Sequence, residues 1–132
     1  MEEIEVGEYI RTNDGIIGKL KRIELDNIDK SLKWYVFTGK IPDKNIIDEV
    51  YINKPYIIKH SKNIIDLIEV GDIIEWEYEG FGYYGINEVI NRFGTIGVYG
   101  IEYDDVIPLK NINIKRILTH EQYENNCYRI GE

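Results

Sequence analysis

Along most of the chain, apolar and polar positions alternate with a period of two, the spacing of half-buried β-strands. "EYIRT" alternates into "NDG", and "IIGKLKRIEL" takes the alternation up again. Asn-Asp-Gly between two such runs predicts a hairpin. "LKWYVFTG" (32–39) predicts a third strand, closed by Gly39 and the loop "IPDKN". "IIDEVYI" (46–52) reads as a fourth strand, with a short helix as the alternative. "PYIIKH" (55–60) predicts a further strand after an "NKP" turn. The pattern then changes. In "SKNIIDLI" (61–68) Ser61 is placed to cap, and Ile64, Ile65 and Ile68 recur at helical spacing, which predicts one helical or 3₁₀ turn.

The alternation restarts at "VGDIIEWEYE" (70–79), a predicted strand. "GFGYYG" (80–85) reads as a glycine- and aromatic-rich loop or bulge. "INEVINR", an "FG" turn and "TIGVYG" make another meander, and "IEYDDVIPL" a short strand ending at Pro108. "KNINIKRIL" (110–118) parallels the "KNIIDLI" of the first half, although its alternation also allows a strand. "THEQYENN" has Thr119 as N-cap and Gln122 at the capping-box position, which predicts a short C-terminal helix.

One phrase occurs twice: "IEVGEYI" at 4–10 and "IEVGDII" at 68–74. Each copy opens a run of hairpins that ends near "KNI". The expected fold is mainly β: two small SH3-like β-barrel or meander modules packed together, with a short C-terminal helix. The expected boundaries are 1–67 for the N-terminal module, 68–118 for a second, acidic module and 119–132 for a helical tail. The competing explanation is a favourable strand start that occurs twice by chance.

Composition agrees with a β-rich chain. The 132 residues include 26 Ile and 11 Tyr and no Ala, the best helix former. Charge divides the halves: residues 1–66 carry 11 basic and 12 acidic side chains, residues 67–132 carry 5 and 12. The acidic second half disfavours direct binding of nucleic acid and admits a basic partner. No apolar run approaches the ~20 residues of a membrane span. The acidic start "MEEIEVGE" reads as neither a signal nor a transit peptide. The single Cys127 gives no disulfide framework, so the expected location is cytoplasmic.

Candidate chemistry concentrates in the second half. A strand over "DIIEWEYE" puts Glu75, Glu77 and Glu79 on one face and Ile74, Trp76 and Tyr78 on the other. Regular carboxylates along a strand resemble a row of phosphates, and Glu102, Asp104 and Asp105 extend the acidic surface. The glycines of "YEGFGYYG" are suited to presenting Phe81, Tyr83 and Tyr84 outward as binding anchors. These nine residues are the expected partner-binding set. An alternative set for a nucleotide ligand uses Tyr78, Phe81 and Tyr84 to stack a base, with Asn91, Arg92 and Arg116 toward phosphate. His60 and His120 sit in polar runs and read as surface or capping residues. "THEQYE" lacks the second histidine of a zinc helix, and no nucleotide-binding or hydrolase motif is present. No cofactor, no metal and no catalytic residue is expected, and the chain reads as a non-enzyme.

The segments "VGEYIRTNDGIIGK", "IIKHSKNIIDLIEVGD" and "ILTHEQYENNCYRI" resemble small, uncharacterised phage and prophage proteins of low-GC Gram-positive bacteria. The resemblance covers both ends and the centre, but not residues 26–55 or 75–105. It implies an accessory protein in a host bacterial cytoplasm. By analogy with small acidic anti-CRISPR proteins, it implies an inhibitor of a host defence protein with a basic surface, a CRISPR effector being one such partner. A nucleotide-sequestering protein and a virion or assembly accessory protein are the alternatives.

Overall fold

The computed structural model describes residues 3–41, 46–78, 83–100 and 104–126. They form eleven strands, three 3₁₀ turns and one short α-helix, in two compact units, Met1–Leu67 and Ile68–Glu132.

In the first unit β1 (Tyr9–Thr12), β2 (Ile17–Leu25), β3 (Lys33–Ile41), β4 (Ile46–Ile52) and β5 (Ile57–Ser61) make an antiparallel sheet of order β4-β3-β2-β1-β5. Residues 46–52 are therefore strand and not helix. β2 pairs with β1 through its first residues and with β3 from Leu20 onward. A register shift between Leu20 and Arg22 lets one strand serve two neighbours. A 3₁₀ turn with Pro55 (Lys54–Tyr56) precedes β5, which returns to pair with β1. Ile4, Ile10, Leu20, Tyr35, Phe37 and Ile57 form the core, flanked by Ile16, Val50 and Ile52. Burying each such side chain contributes about 1.5–3 kcal/mol. After β5 comes the 3₁₀ turn Ile64–Leu67. It is tied back to β1 by fully buried Arg11, whose Nη1 donates to the Leu67 carbonyl at 2.8 Å.

The second unit repeats this plan. β6 (Ile73–Tyr78) pairs with β7 (Tyr83–Glu88) on one side and β11 (Asn113–Leu118) on the other. β8 (Ile90–Arg92), β9 (Thr95–Gly100) and β10 (Asp105–Pro108) form a second three-stranded sheet. β7 and β8 follow one another with only Val89 between them. The strand order β11-β6-β7 followed by β8-β9-β10 thus parallels β5-β1-β2-β3-β4. A 3₁₀ turn (Leu109–Asn111) again precedes the closing strand, and α1 (His120–Asn126) follows it. Residues 113–118 are strand, so the helical alternative for "KNINIKRIL" does not hold.

The repeated phrase builds the same turn twice. Gly7 and Gly71 have φ of +97° and +99°. The Gly7 N–H donates to the Leu20 carbonyl (2.9 Å) and Leu20 N–H to the Glu8 carbonyl (2.8 Å). The Gly71 N–H donates to Val89 (2.9 Å) and Val89 N–H to Asp72 (2.7 Å). Val89 therefore takes the part of Leu20. Where β2 runs on unbroken, the second unit interrupts its strand at Val89.

Two expectations are corrected. The sheets are open and not closed barrels: β4 and β5 are edges in the first unit, and the strand break at Val89 leaves the second with two separate sheets. Tyr83, Tyr84 and Gly85 belong to β7 and not to a loop, because tyrosine suits a strand and the three pair with Tyr78, Glu77 and Trp76.

Candidate binding face

β6 separates its side chains as its alternation predicts. Ile74 and Trp76 are buried, and the indole N–H of Trp76 donates to Asn87 Oδ1 at 2.9 Å. Glu75 and Glu77 lie on the opposite side. There the register sets Glu77 across from Tyr84 and Glu75 across from Ile86. Tyr84 is 82% exposed and Ile86 65% exposed. One open face thus carries a row of carboxylates beside a row of large apolar side chains.

β11 tempers the acidity of that face. The Arg116 Nε donates to Glu75, and Lys115 Nζ lies 3.6 Å from Glu77 Oε2. Pairs this exposed contribute about 0–1 kcal/mol, but their two cations offset the charge of these two carboxylates. The carboxylates are therefore not the uninterrupted row that β6 alone suggests.

The β8–β9 hairpin presents a second feature. Arg92 pairs with Thr95, so the connection is the two residues Phe93 and Gly94, with φ of +54° and +87°. Positive φ at both positions is a type I′ turn, where Asn-Gly is the favoured pair. The Gly94 N–H donates to Asn91 Oδ1 at 3.0 Å. Phe93 is 97% exposed. The Arg92 guanidinium lies 5.9 Å from the ring centres of both Phe93 and Tyr99. The Tyr99 hydroxyl donates to Asp104, and that bond to a carboxylate raises the phenol pKa above its usual value.

Of the expected binding residues, Glu75, Glu77 and Tyr84 share the β6–β7 face. Asp104 and Asp105 are exposed at the start of β10, with Asp104 joined to the Arg92–Tyr99 cluster. Glu79, Phe81 and Glu102 lie outside the described residues, and the Tyr83 side chain does too. The alternative nucleotide set gains little support. Arg116 is engaged by Glu75, Asn91 by the Gly94 N–H, and Tyr78 is half-buried on β6. A cleft of about 310 Å³ in the first unit is lined by Ser31, Leu32, Lys33, Tyr35, Asn53 and Pro55 among others.

Sequence reasoning missed Ile86, Phe93 and both histidines. Phe93 had a signal: a two-residue turn points its first side chain into solvent. The histidines had none, because Glu8 for His60 and Glu69 for His120 lie about fifty residues away. His60 is largely buried, with Nδ1 3.1 Å from Glu8 Oε1, so it is no surface residue. Glu8 Oε2 accepts the Glu5 N–H at 2.6 Å. Burial pushes the Glu8 pKa up, but the Glu5 N–H and His60 outweigh it and hold the carboxyl below its usual value. In the second copy Asp72, one methylene shorter, accepts the Glu69 N–H (2.8 Å) and the backbone N–H of His120 (2.9 Å). The His120 ring turns instead to Glu69 and Glu121.

No protein-family model, curated protein or solved structure matches this chain. What the face does follows from its own residues.

Proposed function

We propose that the chain is a non-catalytic binding protein whose second unit docks a basic protein through the β6–β7 face. The observation that carries this reading is the register that sets exposed Tyr84 and Ile86 beside Glu77 and Glu75. Large apolar side chains at such exposure are binding anchors, and the flanking carboxylates select a partner of opposite charge. The strand order and the 3₁₀ turn before each closing strand support a description of both units as open SH3-like modules, scaffolds that present such faces. The phage-type resemblance makes a host defence protein with a basic nucleic-acid groove the partner class to test first. Blocking that groove is the inhibitory mechanism this reading implies.

The test is affinity capture from the lysate of a low-GC Gram-positive host, with captured proteins identified by mass spectrometry. The reading expects a basic partner whose affinity falls about thirtyfold or more in Tyr84→Ser and Ile86→Ser. It also expects Glu77→Lys to slow association and flatten its salt dependence. Unchanged binding in all three variants would exclude this face. A partner that still holds its nucleic acid when bound would exclude the groove-blocking mechanism.

A further inference from the structure

We propose that Glu69, His120 and Glu121 form a divalent transition-metal site in the second unit, suited best to Zn²⁺. The inference is independent of the binding face. One atom from each residue lies within 4.8 Å of the others. His120 Nε2 is 2.8 Å from Glu69 Oε1 and 3.3 Å from Glu121 Oε1. Tetrahedral zinc, with bonds of about 2.0–2.2 Å to nitrogen and oxygen, separates neighbouring ligand atoms by about 3.3 Å. The His120–Glu121 separation matches that of a coordination shell, and the His120–Glu69 separation, at hydrogen-bond distance, would lengthen by about 0.5 Å to do so.

The imidazole distinguishes this cluster from the acids of the binding face. Two carboxylate oxygens from distant parts of the chain converge on one ring nitrogen. That nitrogen carries either one proton or one lone pair. A divalent cation can take that lone pair and both oxygens at once.

The segments that bear the ligands are held in place beforehand. Asp72 is fully buried, and its two oxygens accept the backbone N–H groups of Glu69 and His120 at 2.8 and 2.9 Å. The shorter acid of the second copy thus grips the main chain on both sides of the site. Loss of such support around ligands typically weakens metal binding about 10–100-fold. The reciprocal Thr119–Gln122 capping bonds, both 3.4 Å, fix the start of α1, where His120 and Glu121 sit. One nitrogen and two carboxylate oxygens suit Zn²⁺ or Co²⁺ better than the all-oxygen preference of Ca²⁺. Side-chain exposures of 33%, 24% and 17% for His120, Glu69 and Glu121 leave a path for the ion and a water as fourth ligand.

The experiment titrates the full chain, free of any histidine tag, with Co²⁺ at neutral pH and follows the visible d–d absorption. Zn²⁺ displacement is followed by calorimetry. The proposal expects one equivalent bound with about micromolar affinity and a four- or five-coordinate spectrum. It expects loss of uptake in His120→Gln, affinity at least about tenfold weaker in Glu121→Gln, and no change in His60→Gln. Circular dichroism checks that each variant folds, and the mild Glu121→Gln change keeps the test decisive if His120→Gln does not. Absence of uptake, a purely six-coordinate spectrum, or uptake that survives both site variants would overturn it. In the last two cases the ion is adventitious. In the first, the cluster is a hydrogen-bonded group of His120 and its carboxylates without a metal role.

Discussion

Replacing Gly7 or Gly71 with alanine isolates the contribution of the duplicated turn. Their φ values of +97° and +99° lie where a Cβ strains the backbone. Space is not the obstacle: an added methyl at Gly7 meets nothing within 4 Å, and at Gly71 it meets His120 Cβ at 3.5 Å, an ordinary contact. The cost is thus conformational, about 1–3 kcal/mol for an L-residue held in such a region. A stiffer unfolded chain returns about 0.4–1 kcal/mol. The net loss should be about 1–2 kcal/mol at either site. The chain supplies its own reporters, because its two tryptophans, Trp34 and Trp76, lie one in each unit. Gly7→Ala is read from Trp34 fluorescence in a Trp76→Phe background, and Gly71→Ala from Trp76 in a Trp34→Phe background. Each is compared with its own parent in urea. With a slope near 1 kcal/mol/M for so small a unit, the midpoint should fall by about 1–2 M. A loss under about 0.5 kcal/mol at either glycine would refute the claim that the turn demands its positive φ. A marked difference between the two would refute the claim that the copies are mechanically equivalent.

Other consequences are open to direct measurement. Glu49 is held at about 2 by hydrogen bonds from Arg22 and then Lys21, so NMR titration of its carboxyl should give that value, and Arg22→Gln should return it toward 4.5. Because the folded pKa is depressed, the stabilisation is present above the unfolded value and is lost as pH falls from about 4.5 to about 2. Glu8 carries the same sign, and the stability of the first unit should fall as pH drops through its lowered pKa; Glu8→Gln should flatten that acid limb in a urea-midpoint series. Phe93→Asn relieves the strain of an aromatic residue at φ +54° while giving up no buried area. It should raise stability by about 0.5–1 kcal/mol after loss of the Arg92 contact, whereas Phe93→Ala, which keeps the strained φ, should lower it.

The sequence is informative where a structural cause is local. Period-two alternation marks Ile73–Tyr78 as a strand and sorts Glu75 from Trp76 before any partner is known. Thr119 and Gln122, three residues apart, announce the capping bonds that start α1. Where the cause is distant, the sequence is silent. Nothing near "DIIEWEYE" indicates that Lys115 and Arg116 lie beside its acids. A register shift between Ile114 and Arg116 in β11 determines that placement. The meeting of His120 with Glu69, and of His60 with Glu8, depends on closing strands that arrive late in each unit. The barrel expectation failed for a related reason: hairpins show which neighbours pair, but neither the unpaired edges β4 and β5 nor the interruption at Val89 has a local signal.

The pairing of first strand with last governs how the chain folds. Tyr9 pairs with Ser61, and Ile73 with Leu118. Each unit must close a long loop before its sheet is complete, and such non-local closure slows folding. On the ribosome, the first unit has all of its strands once Ser61 has emerged, whereas β6 (Ile73–Tyr78) waits until β11 (Asn113–Leu118) has followed it. During that interval the acidic edge of β6 lacks the strand that supplies Lys115 and Arg116. Its carboxylates then repel a second nascent copy instead of pairing with it, which protects an unfinished sheet edge from aggregation.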